Sequence, residues 1–142
     1  MEISDIRRRL RQTIDRARRT SAERRTRADV AGRAYQVFLA DVATPVFQMF
    51  ASALKAEGRA FQVFTPAGGL RLMSERTSDD FVDLTLDSTT DPPSILARVN
   101  RGRGSRVISA EHALRPDVPI GQITQEDVLA FLLAEIEPFV ER

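Results

Sequence analysis

A chain of 142 residues with 42% hydrophobic and 29% charged residues has the size and composition of one soluble globular domain. It has no cysteine and a single histidine, which excludes a disulfide framework, a thiolate nucleophile and cysteine-ligated zinc. The net charge of +1 conceals an asymmetry: residues 1–34 hold eleven arginines against five acids, whereas residues 35–142 hold ten basic against fifteen acidic residues.

The basic excess defines the first element. Ile3, Ile6, Leu10, Ile14 and Ala17 recur at steps of three, four, four and three, which is one narrow apolar seam on a helix. From Arg18 to Asp29 nothing apolar larger than alanine appears. Periodicity returns at Val30, Ala34, Phe38 and Val42. An unbroken helix over 2–42 would be ~60 Å long, against a radius of gyration of ~14 Å for a compact domain of this size. Either the helix breaks near 20–29, or its first half projects and finds a partner. The chain therefore divides into a basic helical arm, 1–28, and a single α+β domain, 29–142.

Thr44-Pro45 reads as an N-cap followed by proline at the first helical position, and Gly58 ends that helix. The most apolar window, Val37–Leu54, is interrupted by Asp41, Pro45 and Gln48, so no membrane span is expected. The N-terminus is charged from residue 2 and lacks the apolar stretch of a signal peptide. With the absence of cysteine, these features suit a cytoplasmic protein.

Strands are predicted at Phe61–Thr65, Leu70–Glu75, Phe81–Asp87, Ile95–Asn100 and Arg106–Ala110, joined by turns short enough for an antiparallel meander of four to five strands. One sheet face would be open and the other covered by helices. In the stretch Arg98-Val-Asn-Arg-Gly-Arg-Gly-Ser-Arg-Val107, pairing Val99 with Val107 sets Asn100 opposite Arg106 and Arg98 opposite Ile108. That register leaves Arg101–Ser105 as the loop, with Arg101 and Arg103 free at its tip. Arg98 and Arg106 would then lie on the outer face, near Asp83 and Asp87. The last element is a C-terminal helix with Thr124 and Asp127 as a near capping box. Its apolar stripe is Leu129, Leu132, Leu133, Ile136 and Val140, and Pro138 ends or kinks it.

Motifs of known chemistry are missing. There is no GxSxG or HExxH, and His112 reads as a loop residue. Asp83 and Asp87 lie ~13 Å apart along a strand, too far to share an ion. Pro66-Ala-Gly-Gly69 precedes a strand and has no lysine, so it reads as a hairpin turn and not a phosphate loop. No cofactor, metal or catalytic residue is assigned, and the chain reads as non-enzymatic.

The expected function is protein interaction or oligomerisation through the seam Ile3, Ile6, Leu10, Ile14 and Ala17, with a second copy or another protein as partner. The alternative is sequence-nonspecific nucleic-acid binding by Arg7, Arg8, Arg11, Arg18, Arg19 and Arg25, with Arg101 and Arg103 as a second contact. Arginine outnumbers lysine 20 to 1, a skew that coding bias alone produces. No aromatic residue precedes Tyr35 to stack on bases.

Overall fold

The computed structural model describes residues 1–141. A helix α1, Ile3–Val37, runs through a π-helical turn, Phe38–Ala43, directly into α2, Thr44–Ala56. Five strands follow: β1 (Phe61–Phe64), β2 (Gly69–Ser74), β3 (Phe81–Asp87), β4 (Ser94–Arg103) and β5 (Arg106–Ala113). A 3-10 turn, Ile120–Gln122, leads into α3, Gln125–Val140. The strands form one antiparallel sheet in the order β1-β2-β3-β4-β5, the meander of an α+β domain.

Between the two fates open to the N-terminal helix, the structure takes projection. No glycine or proline interrupts residues 2–31, and alanine, arginine and glutamate are good helix formers. Threonines that would otherwise favour a break bond back into the helix, Thr13 Oγ1 to the Arg9 carbonyl and Thr26 Oγ1 to that of Ala22. Of the apolar residues expected to resume the pattern, Val30 is exposed while Phe38 is buried, and Ala31 and Tyr35 dock the helix beside it.

The expected N-cap at Thr44 is also absent, because the chain stays helical through it. Pro45 has no N–H and its ring crowds the carbonyl four residues earlier. The π turn accommodates this: the Thr44 N–H reaches back to the Leu39 carbonyl. The Asp41 carbonyl, which a residue-45 N–H would have taken, accepts from Gln125 Nε2 of α3 at 3.3 Å. Only at Gly58, with φ +80°, does the long helix end.

Alternation sorts the sheet. Leu70, Leu72, Val82, Leu84, Ile95 and Ala97 point inward and join Tyr35, Phe38, Phe47, Val128, Leu132 and Ile136 in the core. The stripe expected on α3 is rotated slightly: Val128, Phe131 and Phe139 are buried with Leu132 and Ile136, while Leu133 is exposed. Pro138 lies inside α3 without ending it, since the helix has only its last turn left to form. The expected cap is present, with the Asp127 N–H donating to Thr124 Oγ1 at 3.2 Å and the Thr124 N–H to Asp127 Oδ2 at 2.9 Å. Thr124→Ala should lower stability by ~1 kcal/mol in urea unfolding; an unchanged midpoint would show that the box contributes nothing.

The β4–β5 register differs from the expected one. Arg98 pairs with Glu111, Asn100 with Ser109, Gly102 with Val107 and Arg103 with Arg106. The loop is just Gly104-Ser105, with Gly104 at φ +63°. Glycine at the first central position of a two-residue turn matches the twist of the flanking strands, and this outweighs burying Val107, which stays exposed. Both strands consequently run longer than predicted, and His112 is a strand residue, not a loop residue. Gly102 is placed where β4 passes the corner before β3, its N–H donating to Asp80 Oδ1 at 2.8 Å. A Cβ there would meet the Asp79 Cβ at 3.3 Å.

Candidate functional site

The projecting part of α1 is the most distinctive surface. Residues 1–30 are exposed, apart from a half-buried Asp5. The seam is bare: Ile3 is 77% exposed, Ile6 47%, Leu10 56% and Ile14 41%. A run of large apolar side chains on one helix face, left uncovered by its own chain, is the ordinary mark of an interaction surface. The sequence predicted this seam residue by residue, and the structure brings Ile3, Ile6, Leu10, Ile14 and Ala17 together on one continuous helix.

The arm is attached to the body by its own arginines. Arg27 Nε and Nη2 donate to both carboxylate oxygens of Asp91 at 2.9 and 2.8 Å, and Arg24 Nε lies 3.5 Å from Asp91 Oδ2. The Asp91 carboxyl is held below its ordinary range, chiefly by the Arg27 hydrogen bond. Asp91 belongs to the β3–β4 loop. Sequence spacing of 64 residues gives no sign of this contact. Ahead of Arg24, among the described residues, the one ion pair on the helix is local, Arg8 with Asp5.

The second basic group is elsewhere. Arg103 stands beside the Gly104-Ser105 turn opposite Arg106, and Arg101 lies within the ladder opposite Ile108. Loop 88–93 and this turn sit at opposite ends of β4, whose nine residue steps from Ser94 to Arg103 span ~30 Å. The structure therefore does not gather Arg101 and Arg103 with the arm arginines near the tether.

The open face of the sheet carries a charge row. Arg71, Asp83, Arg98 and Glu111 are consecutive cross-strand neighbours on β2, β3, β4 and β5. Arg71 Nε and Nη2 donate to Asp83 at 2.6 and 2.8 Å, and Arg98 Nη2 donates at 3.1 Å. Arg71 also lies over the Phe81 ring, 4.0 Å from its centroid. The Arg98–Asp83 pair was expected; Arg71 was missed, although Leu70 and Leu72 facing inward already send Arg71 to the outer face. Arg106, expected there too, has the opposite parity, and Asp87 instead accepts from Thr89.

Chemistry-bearing clusters are sparse. His112 packs edge-on against Phe131 with Nε2 at 3.6 Å from Glu135 Oε1. Among the described residues no group of three histidines, aspartates or glutamates is placed to share a metal ion. The helix Ile3–Ala56 is long and apolar enough in part to cross a bilayer. Yet Phe38, Ala43, Val46, Phe47 and Leu54 within it are buried in the core. No family model, curated protein or solved structure matches the chain.

Proposed function

We propose that the protein is a non-enzymatic interaction module that assembles through the seam of its projecting N-terminal arm. The observation that carries this reading is the exposure of Ile3, Ile6, Leu10 and Ile14 on a helix held away from its own core. Burying one such side chain contributes about 1.5–3 kcal/mol, so a face of four large residues is a substantial drive to association. The continuous helix from Ile3 to Val37 carries this face away from the body.

Sedimentation equilibrium of the full chain tests it. The natural sequence should self-associate at micromolar to submillimolar concentration. Ile6→Asp with Leu10→Asp should weaken association by roughly 100-fold or more while leaving the thermal unfolding of the body intact. A natural chain that stays monomeric throughout that range overturns the proposal. Nucleic-acid binding lacks comparable support, since the hairpin arginines stand ~30 Å of strand away from the loop that meets the arm. Salt-sensitive duplex binding that persists in the seam variant, with no self-association, would favour that alternative instead.

A further inference from the structure

The seam also indicates what covers it. Its spacing reads the same in both directions about Leu10: Ile6 and Ile14 lie four residues to either side, and Ile3 and Ala17 lie seven. A helix face with that symmetry is complementary to itself when a second copy runs antiparallel. Leu10 then meets Leu10, Ile6 meets Ile14, and Ile3 meets Ala17. Resting on the association proposed above, we infer that the occupant of the seam is the arm of a second copy of this chain, antiparallel and centred on Leu10.

Charge supports this arrangement. The half of the arm bearing the seam, 2–17, has five arginines and three acids, whereas 18–34 has six arginines and two acids. A parallel pair would run the two strongly basic halves side by side. An antiparallel pair brings the less basic halves together and sends the more basic halves to opposite ends. On the flanks of the seam, Glu2 comes within a turn of the partner's Arg16, and Asp15 within a turn of the partner's Arg7. Two-fold symmetry repeats each of these pairs. Like charges meet beside the centre on both flanks, Arg9 with the partner's Arg9 on one and Arg11 with the partner's Arg11 on the other.

Length supports it as well. In this register Met1 of the partner ends level with Arg19, five residues short of Arg24, where the helix meets the body through Asp91. The free part of the arm is therefore long enough for the partner helix, and the partner clears the sheet. At 1.5 Å per residue, Val30 of one copy and Val30 of the other lie ~60 Å apart along the axis. The result is a dumbbell: two α+β bodies on a shared rod, with no body-to-body contact.

The absence of cysteine makes the arrangement directly testable. Full-length Ile6→Cys and Ile14→Cys chains are purified reduced, then oxidised separately and as a mixture, with sedimentation run in parallel. The antiparallel register predicts little disulfide dimer from either variant alone. The mixture should give abundant dimer containing one chain of each, and Leu10→Cys alone should cross-link readily. Efficient cross-linking of each single variant with itself means a parallel pair. Association without any cross-link means another interface. Either result overturns this inference and leaves the association itself standing, whereas a strictly monomeric chain removes both.

Discussion

Replacing Asp83 by alanine is expected to destabilise the protein by about 3 kcal/mol, the low end of the cost of stripping one partner from a buried ionic cluster. Asp83 faces the open side of the sheet, yet its side chain is only 6% exposed, because its own arginine partners cover it. Arg71 grips both carboxylate oxygens and Arg98 adds a third hydrogen bond. Without the carboxylate, two guanidinium groups remain 4.0 and 5.3 Å from the same Phe81 ring with nothing between them to neutralise their charge. Arg71 and Arg98 are partly solvated, which keeps the loss from reaching the upper end of that range. Replacing Arg71 and Arg98 by leucine together with Asp83→Leu should recover much of the stability, since apolar residues often replace such a cluster at little cost. Urea unfolding of the two variants checks this. A loss below about 1 kcal/mol for Asp83→Ala would mean that water already does most of the neutralising.

Tyr35→Ala should cost about 4 kcal/mol, close to the value for removing a large aromatic from a packed core. Tyr35 is 1% exposed and stacks beside Phe38 with ring centroids 6.5 Å apart. Its hydroxyl donates to the Gly68 carbonyl at 2.6 Å. The residue thus fastens the root of the long helix to the β1–β2 turn, where Gly68 has φ +72°. Tyr35→Phe keeps the ring and should lose only about 1–2 kcal/mol, the share due to the hydrogen bond and the carbonyl it leaves unpaired. Burial pushes the phenol up from its usual 10 to about 12. A group with a raised folded pKa stabilises fully below its unfolded pKa and loses that contribution as pH rises through the folded one. Stability should therefore fall between pH 10 and 12, and the Tyr35→Phe chain should lack this part of the decline. Identical alkaline unfolding profiles for the two chains would show that the phenol is not what titrates.

Much of this architecture is readable because it is periodic. The seam Ile3–Ala17 is legible because a helix repeats every 3.6 residues and any uncovered face shows in the spacing alone. The strands β1 to β3 and the Thr124–Asp127 box are equally local, set by alternation and by one short-range pair of hydrogen bonds. Where two local signals competed, the stricter geometry prevailed. Val99 with Val107 is a plausible apolar pair, but a Gly104-Ser105 turn fixes the hairpin by backbone conformation, and two strands then follow its register.

By itself, the sequence determined the α+β class, an antiparallel meander of four to five strands and a basic N-terminal helix with one apolar face. Each rests on periodicity or turn chemistry contained within a few residues. Only the tertiary structure decided that the helix stays whole through Pro45, by way of a π turn whose Asp41 carbonyl accepts from Gln125, 84 positions along the chain. It alone decided that Asp91 anchors Arg24 and Arg27, and that Arg71 joins Arg98 on Asp83, since such contacts depend on strand register and loop position. It also decided that the seam stays bare: no rule of spacing says whether a chain will cover its own apolar face, and this one docks its helix from Ala31 onward.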